Sequence, residues 1–538
     1  MKRATDDEVS VRVTRRRFIL AAGATGIVVA CAAPTATAPA PGTSQPSQTL
    51  TPRKGGTLQV VGETDVPPGF DPHSTDVAAG GAESTFSQMY EGLVEQEPSG
   101  TLAPALAESW SVSADGKTYT FKIRRGVKFH NGRELTSDDV LFSFRRMKDP
   151  STKHPFASNF DIVSDIQAPD PSTAVFTLQK SFAPFLQRLN DVGASIVPKE
   201  EVAKGTLRAK PVGTGPFKYV SSAATDFLQV EANRDYWRQG LPYLDGIRLK
   251  ATPDKQAAVL TVKAGQADVF RDAPAEVLDS LKTGYNIHVA VADFSFSWFQ
   301  MNPAKVAAFK DVRVRQAINW ALDRKEIADL TWPSLSVPLN GGFLPASHPA
   351  ALKEDVYPKQ DIAKAKQLLA EAGYPNGFEF TVNARSDAGG GQYPRLAQVL
   401  QRQLAQVGIK VNIAIDPPGV KQMLVFGPAN DSMVQGTPAT PEPDDTMYVH
   451  WMPGGARNIA KFADPQVTEI VLRAQSTSDQ AARAKLYQDA QKLVAQIGPT
   501  IPIFLYAKYD FSQRYVQGLI RNSTGQNWRE SRNVWINK

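Results

Sequence analysis

The chain has 538 residues, 42% hydrophobic and 21% charged, with a formal net charge of +6 at pH 7. Those proportions exclude wholesale disorder and a polytopic membrane protein, and the length predicts about two to four domains. One cysteine, Cys31, and six scattered histidines exclude a disulfide framework, a cysteine-based zinc site and an iron–sulfur cluster, so no metal or cofactor is expected.

The first thirty residues read as an address. Thr14-Arg15-Arg16-Arg17-Phe18-Ile19-Leu20 looks like a twin-arginine export signal. The apolar run Phe18–Ala30 is 13 residues long. That is too short for a helix to span a bilayer of about 30 Å but suits a signal peptide. Val28-Val29-Ala30-Cys31 looks like a lipobox, whose cysteine is acylated and becomes the new N-terminus. The bland alternative is a short buried helix with a free thiol. Residues 1–30 carry a net +3, so the 508 residues from Cys31 carry only +3. A near-balanced surface argues against nucleic acid as a partner. Residues 31–53 follow as a tether: Ala32–Pro52 has no charge and is mostly Ala, Pro, Thr, Ser and Gln.

The body opens near Lys54-Gly55-Gly56, and Thr57–Glu63 is predicted as a strand. Tyr119, Phe121 and Ile123 alternate with Thr118, Thr120 and Lys122, and Asp115-Gly116 precedes them. That pattern predicts a hairpin pairing Trp110–Val112 with Tyr119–Ile123. Ser172–Gln179 is another predicted strand. Asp311–Leu330 is predicted as one amphipathic helix. Asp361 is the predicted N-cap of Ile362–Ala372, with Gly373 as the stop. Pro394 is predicted to open a helix through Val407, with Gly408 stopping it and the strand Ile409–Ile413 after it. Ser478–Ala495 is a further predicted helix. Helix, glycine and strand thus alternate twice, which is α/β organisation.

Catalytic motifs are missing. Gly213-Thr214-Gly215 lacks the third glycine of a dinucleotide loop, because Lys218 stands there. No GxxxxGK phosphate loop and no GxSxG elbow occur. Asp444-Asp445 reads as a solvated pair in a proline-rich loop. No catalytic residue is assigned, and the chain is not expected to be an enzyme.

Several blocks in order resemble one family. They are Lys54-Gly55-Gly56-Thr57-Leu58, Phe70-Asp71-Pro72-His73, Tyr90-Glu91-Gly92-Leu93-Val94 (read as a helix), Leu102–Trp110, Gly126–Gly132, Gly213–Phe217, Asn233–Trp237, Gly265–Asp268 and Asp311–Ile318. Together they resemble the extracytoplasmic solute-binding proteins of the peptide/nickel class that serve ABC importers. The resemblance covers about residues 54 to 520.

It implies an α/β, two-lobed periplasmic-binding-protein-like fold of the large peptide-binding type, class II, with an inserted third domain. Lobe 1 is expected at 54–90, 205–300 and 500–538, the inserted domain at 91–204, and lobe 2 at 301–499. The implied ligand contacts are Glu83, Ser84, Phe156, Asn190 with the segment to Gly193, and the loop Gln435 to Asp445 with Thr437 and Ala439. Trp451 and Asn458 join them as pocket candidates, with Tyr448, His450 and Arg457 beside them.

Peptide-binding members carry an Asp-Tyr-Pro-Asp-Pro-like stretch whose first Asp pairs with the peptide's α-amine. Here Ala439 replaces it in Ala439-Thr440-Pro441-Glu442-Pro443. The implied partners are an oligopeptide or other peptide-like solute, the permease and ATPase subunits of an ABC importer, and the membrane through the Cys31 lipid anchor. The chain is expected to be a monomer outside the cytoplasm. A hydrolase with an unmarked active site, or a chaperone or sensor receptor on the same fold, are the alternatives.

Overall fold

The computed structural model describes residues 50–62, 66–78, 82–273, 275–289, 295–385, 392–416, 429–437, 442–455, 457–458, 460–507, 509–521 and 529–538. The export signal, Cys31 and most of the tether lie outside these residues. Among the described residues no helix is long and apolar enough to cross a membrane.

Thr57–Gly62 forms as predicted and takes the centre of a seven-stranded sheet. It runs parallel to both of its neighbours, Gly246–Ala251 and Val269–Ala273. A strand flanked on both sides is largely apolar: Leu58, Val60 and Val61 are at most 4% exposed, while Gln59 is half-buried. The sheet order is Tyr285–Val289, Tyr509–Gln513, Val269–Ala273, Thr57–Gly62, Gly246–Ala251, Phe227–Ala232, Phe217–Ala223.

A six-stranded sheet forms a second body, ordered Ser336–Pro338, Thr500–Tyr506, Phe296–Met301, Ser432–Thr437, Glu379–Arg385, Lys410–Asp416. The expected lobe borders at 300 and 500 fall at strands of this sheet: Phe296–Met301 and Thr500–Tyr506 both pair in it. The chain passes between the two sheets in two short stretches, 290–295 and 507–508. Val289 pairs with Tyr509 on one sheet, and Phe296 with Leu505 on the other.

Between Thr57–Gly62 and Phe217–Ala223 the chain builds a four-stranded antiparallel sheet, Ala107–Val112, Thr118–Ile123, Thr173–Leu178, Val163–Asp170. The predicted hairpin is there, with Trp110 opposite Phe121 and Val112 opposite Tyr119. Helix Ser137–Lys148 covers the sheet and is capped by a reciprocal Thr136–Asp139 box. Its Phe144 meets Phe160 and Phe176 edge-on, at centroid distances of 5.3 and 4.8 Å. Each such pair adds about 0.5–1.5 kcal/mol beyond burial.

Several predicted elements shift. The single helix Asp311–Leu330 is two, Val312–Ala321 and Arg324–Thr331. Leu322 turns extended, and Asp323 caps the second helix by accepting from the Glu326 amide. Tyr90–Val94 is not helical: a turn at Phe86–Tyr90 leads to the strand Val94–Gln96. Pro394 is the third residue of helix Gln392–Ala405, not its first. Asp361 caps Ile362–Glu371 as expected, and Gly373 stops it with a φ of +89°. Ser478–Ala495 is observed as Gln480–Ile497, capped by Asp479.

Gly213 and Gly215 are needed for close approach. A Cβ on either would stand 2.1 or 2.6 Å from the Met89 or Gln88 backbone. The turn they make lets the Thr214 hydroxyl donate to buried Glu91.

Candidate ligand-binding site

Three segments converge beside the seven-stranded sheet. Helix Ala82–Phe86 carries Glu83 and Ser84, and Ser84 is buried. Phe156 and Val192 pack on the same core as Phe86. Asn190 is buried at the end of the short helix Phe185–Arg188. Phe156 thus shares a core with Phe86 and Val192, two residues beyond Ser84 and Asn190 respectively.

The junction beneath them is fixed by charge. Both oxygens of Asp71 accept from Arg146 on helix Ser137–Lys148, at 2.8 and 2.5 Å. His73 lies fully buried on the Ser195 carbonyl, its Nε2 at 2.8 Å. Burial pushes its ring down to about 3, and Arg146 adds to the effect. His154 contacts the Gly193 carbonyl through Nε2 at 3.0 Å, and its Nδ1 accepts from the Phe156 amide. Burial lowers His154 as well. Neutral imidazoles therefore tie the 154–156 and 191–195 segments to the body.

The other half comes from the six-stranded sheet. Gln435 is buried in the strand Ser432–Thr437, opposite Trp298, and Thr437 ends that strand opposite Phe296. Ala439 lies outside the described residues. The next segment, Pro443–Trp451, is a helix capped by Glu442, whose carboxylate accepts from the Asp444 amide.

Asp444 and Asp445 are not a solvated pair. Asp444 is 0% exposed and accepts from Gln475 and the Tyr487 hydroxyl, each at 3.0 Å. The helix start turns these side chains inward, where sequence composition alone suggested an open loop.

Arg188 joins the two halves. Its guanidinium lies 2.7 Å from Asp445 and 3.6 Å from Asp444. Two more bonds run alongside: the Ala183 amide donates to the Gln475 carbonyl at 2.7 Å, and the Ser181 hydroxyl to the Ser476 carbonyl at 3.3 Å. Glu442 pairs with Arg483 at 2.5 Å. Burial nevertheless pushes Glu442 up to about 7; Arg483 pulls the other way, and Asp445 and Asp444 add to the rise. Burial also raises Asp444 and Asp191. Among the described residues, four carboxylates (Asp191, Glu442, Asp444, Asp445) act on Arg188, with Arg483 beside Glu442.

Other candidates sit elsewhere. Trp451 is fully buried and stacks on Phe343 at 5.5 Å, so it is core and offers no surface to a ligand. His450 is fully buried between Phe296 and Trp298. Asn458 is spent on the backbone, donating to the Met452 and Phe462 carbonyls and accepting from the Phe462 amide. Among the described residues no group of three or more His, Cys, Asp or Glu is placed to hold a metal ion.

Sequence reading missed Arg188. The start of the following helix, Glu442-Pro443-Asp444-Asp445, carried a readable signal: a cap, proline in the first turn and acids after it.

Comparison with known proteins supplies the family. The model for bacterial extracellular solute-binding proteins, family 5, middle region, matches residues 101–458. Heme-binding protein A of Haemophilus influenzae is 30% identical over 472 residues, covering 81% of this chain and 85% of its own. Glutathione-binding protein GsiB of Escherichia coli is 29% identical over 463 residues, covering 82% and 88%. The ABC transporter-associated periplasmic binding protein DppA of Helicobacter pylori, in complex with the peptide STSA, superposes with a TM-score of 0.79. It is 26% identical and covers 90% of this chain and 99% of that one. The chain therefore belongs to family 5 of the bacterial extracellular solute-binding proteins, the non-catalytic substrate-binding components of ABC importers.

Proposed function

We propose that the chain captures a peptide or peptide-like solute between the two sheet-bearing bodies and presents its closed form to a permease. The permease's ATPase subunits then drive uptake. The observation that carries this reading is the Arg188 contact, which draws the 181–193 segment onto the 442–445 and 475–476 segments. Ligand favours closure because it touches both halves only when they meet. In this reading lobe 2 spans about 296–506, bounded by the strands Phe296–Met301 and Thr500–Tyr506. The inserted domain keeps its expected span, 91–204. The protein acts as a monomer, held to the outer face of the membrane by lipid on Cys31.

Ala439 sets the ligand chemistry. A buried ammonium without a carboxylate costs several kcal/mol, so simple free-amine dipeptides bind weakly by the family's usual mode. Mass spectrometry of the native purified protein identifies any co-purified solute. Calorimetry then tests a library of di- and tripeptides, glutathione, heme, opine-like conjugates and metal chelates. Micromolar binding of several simple dipeptides would overturn the role given to Ala439. Failure of every solute, with no co-purified ligand, would overturn the capture reading.

A further inference from the structure

A cavity of about 670 Å³ opens where the four-stranded sheet meets the loop before Pro242. It shares no residue with the Arg188 contact. Glu108, Lys122, Arg124, Arg125, Trp237 and Arg238 line it, with Gly126. Gly126 has a φ of +75°, and nothing stands within 4 Å of where its Cβ would be.

The wall is built around one indole. Trp237 donates its ring N–H to buried Glu91 at 2.9 Å, and this fixes the ring plane. The guanidinium carbons of Arg124 and Arg238 stack on that ring, 4.5 and 4.4 Å from its centre. Arg124 donates through Nε to the Ala105 carbonyl at 3.2 Å. Among the described residues its two Nη groups have no hydrogen-bond partner, and the buried Nε of Arg238 has none.

Charge is in excess here. Lys122 and Glu108 cancel at 2.6 Å. Arg238 and Arg532 both pair with Glu95. Arg124 and Arg125 have no carboxylate within ion-pair distance among the described residues. Arg124 is half-buried and Arg125 exposed, and an anion between them relieves their mutual repulsion. Planar guanidiniums, with both Nη groups of Arg124 open among the described residues, match a tetrahedral phosphate oxyanion.

We propose that this cavity is a second ligand site, separate from the solute cleft, that takes a phosphate group through Arg124, Arg125 and Arg238. The phosphate is either free in solution or the headgroup of an anionic lipid.

Two assays on the full-length protein separate these sources. In the first, inorganic phosphate replaces chloride at constant ionic strength while tryptophan emission is followed. A saturable change that Trp237→Phe abolishes, and that the double variant Arg124→Gln/Arg125→Gln weakens by about tenfold or more, supports a free phosphate. Arg124→Lys keeps the charge but loses the planar fork, so it weakens binding by a smaller factor. In the second, the protein is floated with phosphatidylglycerol or phosphatidylcholine vesicles; any lipid anchor contributes equally to every variant. A preference for phosphatidylglycerol that the double variant loses supports the headgroup. Circular dichroism melting of each variant controls for folding, and Lys325→Gln/Asp329→Asn, an exposed pair outside the cavity lining whose loss keeps the net charge, should leave both signals near wild type. No saturable phosphate response together with equal flotation of wild type and double variant overturns the site.

Discussion

Two of the buried charged joints among the described residues are built on opposite principles. At the first, one carboxylate, Asp71, faces one guanidinium, Arg146, through two bonds, and the neutral His73 lies beside it. At the second, Arg188 faces Asp444 and Asp445 while Asp191 and Glu442 crowd the same space. The first joint ties helix Ser137–Lys148 to the body of the seven-stranded sheet. The second ties the short helix Phe185–Arg188 to the body of the six-stranded sheet. A balanced pair recovers from its partner much of the hydration that burial takes away. A cluster with surplus carboxylates is relieved when water enters. On the proposed function, the first joint stays shut while the second opens and shuts with ligand.

The largest test removes the first joint. Arg146→Ala leaves Asp71 buried and uncompensated, and should cost about 3–5 kcal/mol of stability by urea unfolding. A loss under 1 kcal/mol, to take the order of a surface pair, would show that this joint is no stronger than an exposed one.

Arg188→Ala should behave differently, because opening resolvates the acids it abandons. The global unfolding midpoint should move little. The closed form should lose about 1–2 kcal/mol, seen as roughly a 5- to 30-fold weaker apparent ligand affinity. Small-angle scattering should show a larger radius of gyration in the unliganded variant. Equal loss of global stability in both arginine variants would erase the distinction between the joints.

Acid sharpens the contrast, since the two joints answer it with opposite sign. His73 sits at about 3, below its ordinary 6.5, because it is buried near Arg146. The unfolded chain takes up a proton there that the folded protein refuses. This contribution is full above pH 6.5 and is lost as pH falls toward 3. Glu442 sits at about 7, above its ordinary 4.5, chiefly because it is buried. The folded protein keeps a proton there that the unfolded chain releases. This contribution is full below pH 4.5 and is lost as pH rises to 7. His73→Gln should flatten the acid limb of stability against pH. Glu442→Gln should flatten the limb between 4.5 and 7. Each change should be about 1–3 kcal/mol across its window, read from urea midpoints at a series of pH values.

Local chemistry made much of the fold legible. The Asp115-Gly116 hairpin, the Asp361 cap and the Gly373 stop each depend on a few adjacent residues, and each forms. The break at Leu322-Asp323 was hidden because the apolar stripe of the first helix continues through Ile327 and Ala328 in the second. The site was harder to read. Trp451 looks like a pocket aromatic in sequence, but Phe343 and the surrounding core bury it completely. Asp444 looks exposed beside two prolines, yet Gln475 and Tyr487, distant in sequence, enclose it. Contacts of that range leave no trace in a local pattern. The same holds for Arg188, whose partners lie more than 250 residues away.

The smallest expected effect isolates charge from ordinary hydrogen bonding at the opening joint. The Ser181 hydroxyl reaches the Ser476 carbonyl across the same contact as Arg188, but at 3.3 Å and in solvent. Water replaces such a bond almost without loss, so Ser181→Ala should change stability by less than about 0.5 kcal/mol. The neighbouring bond from the Ala183 amide to the Gln475 carbonyl is backbone to backbone and survives the substitution. Apparent ligand affinity should therefore stay within about twofold of wild type, against the larger loss in Arg188→Ala. The same calorimetric titration measures both. If Ser181→Ala weakens the ligand as much as Arg188→Ala does, neutral bonds along 181–183 hold the halves together. The surplus of carboxylates around Arg188 would then play no part in closure.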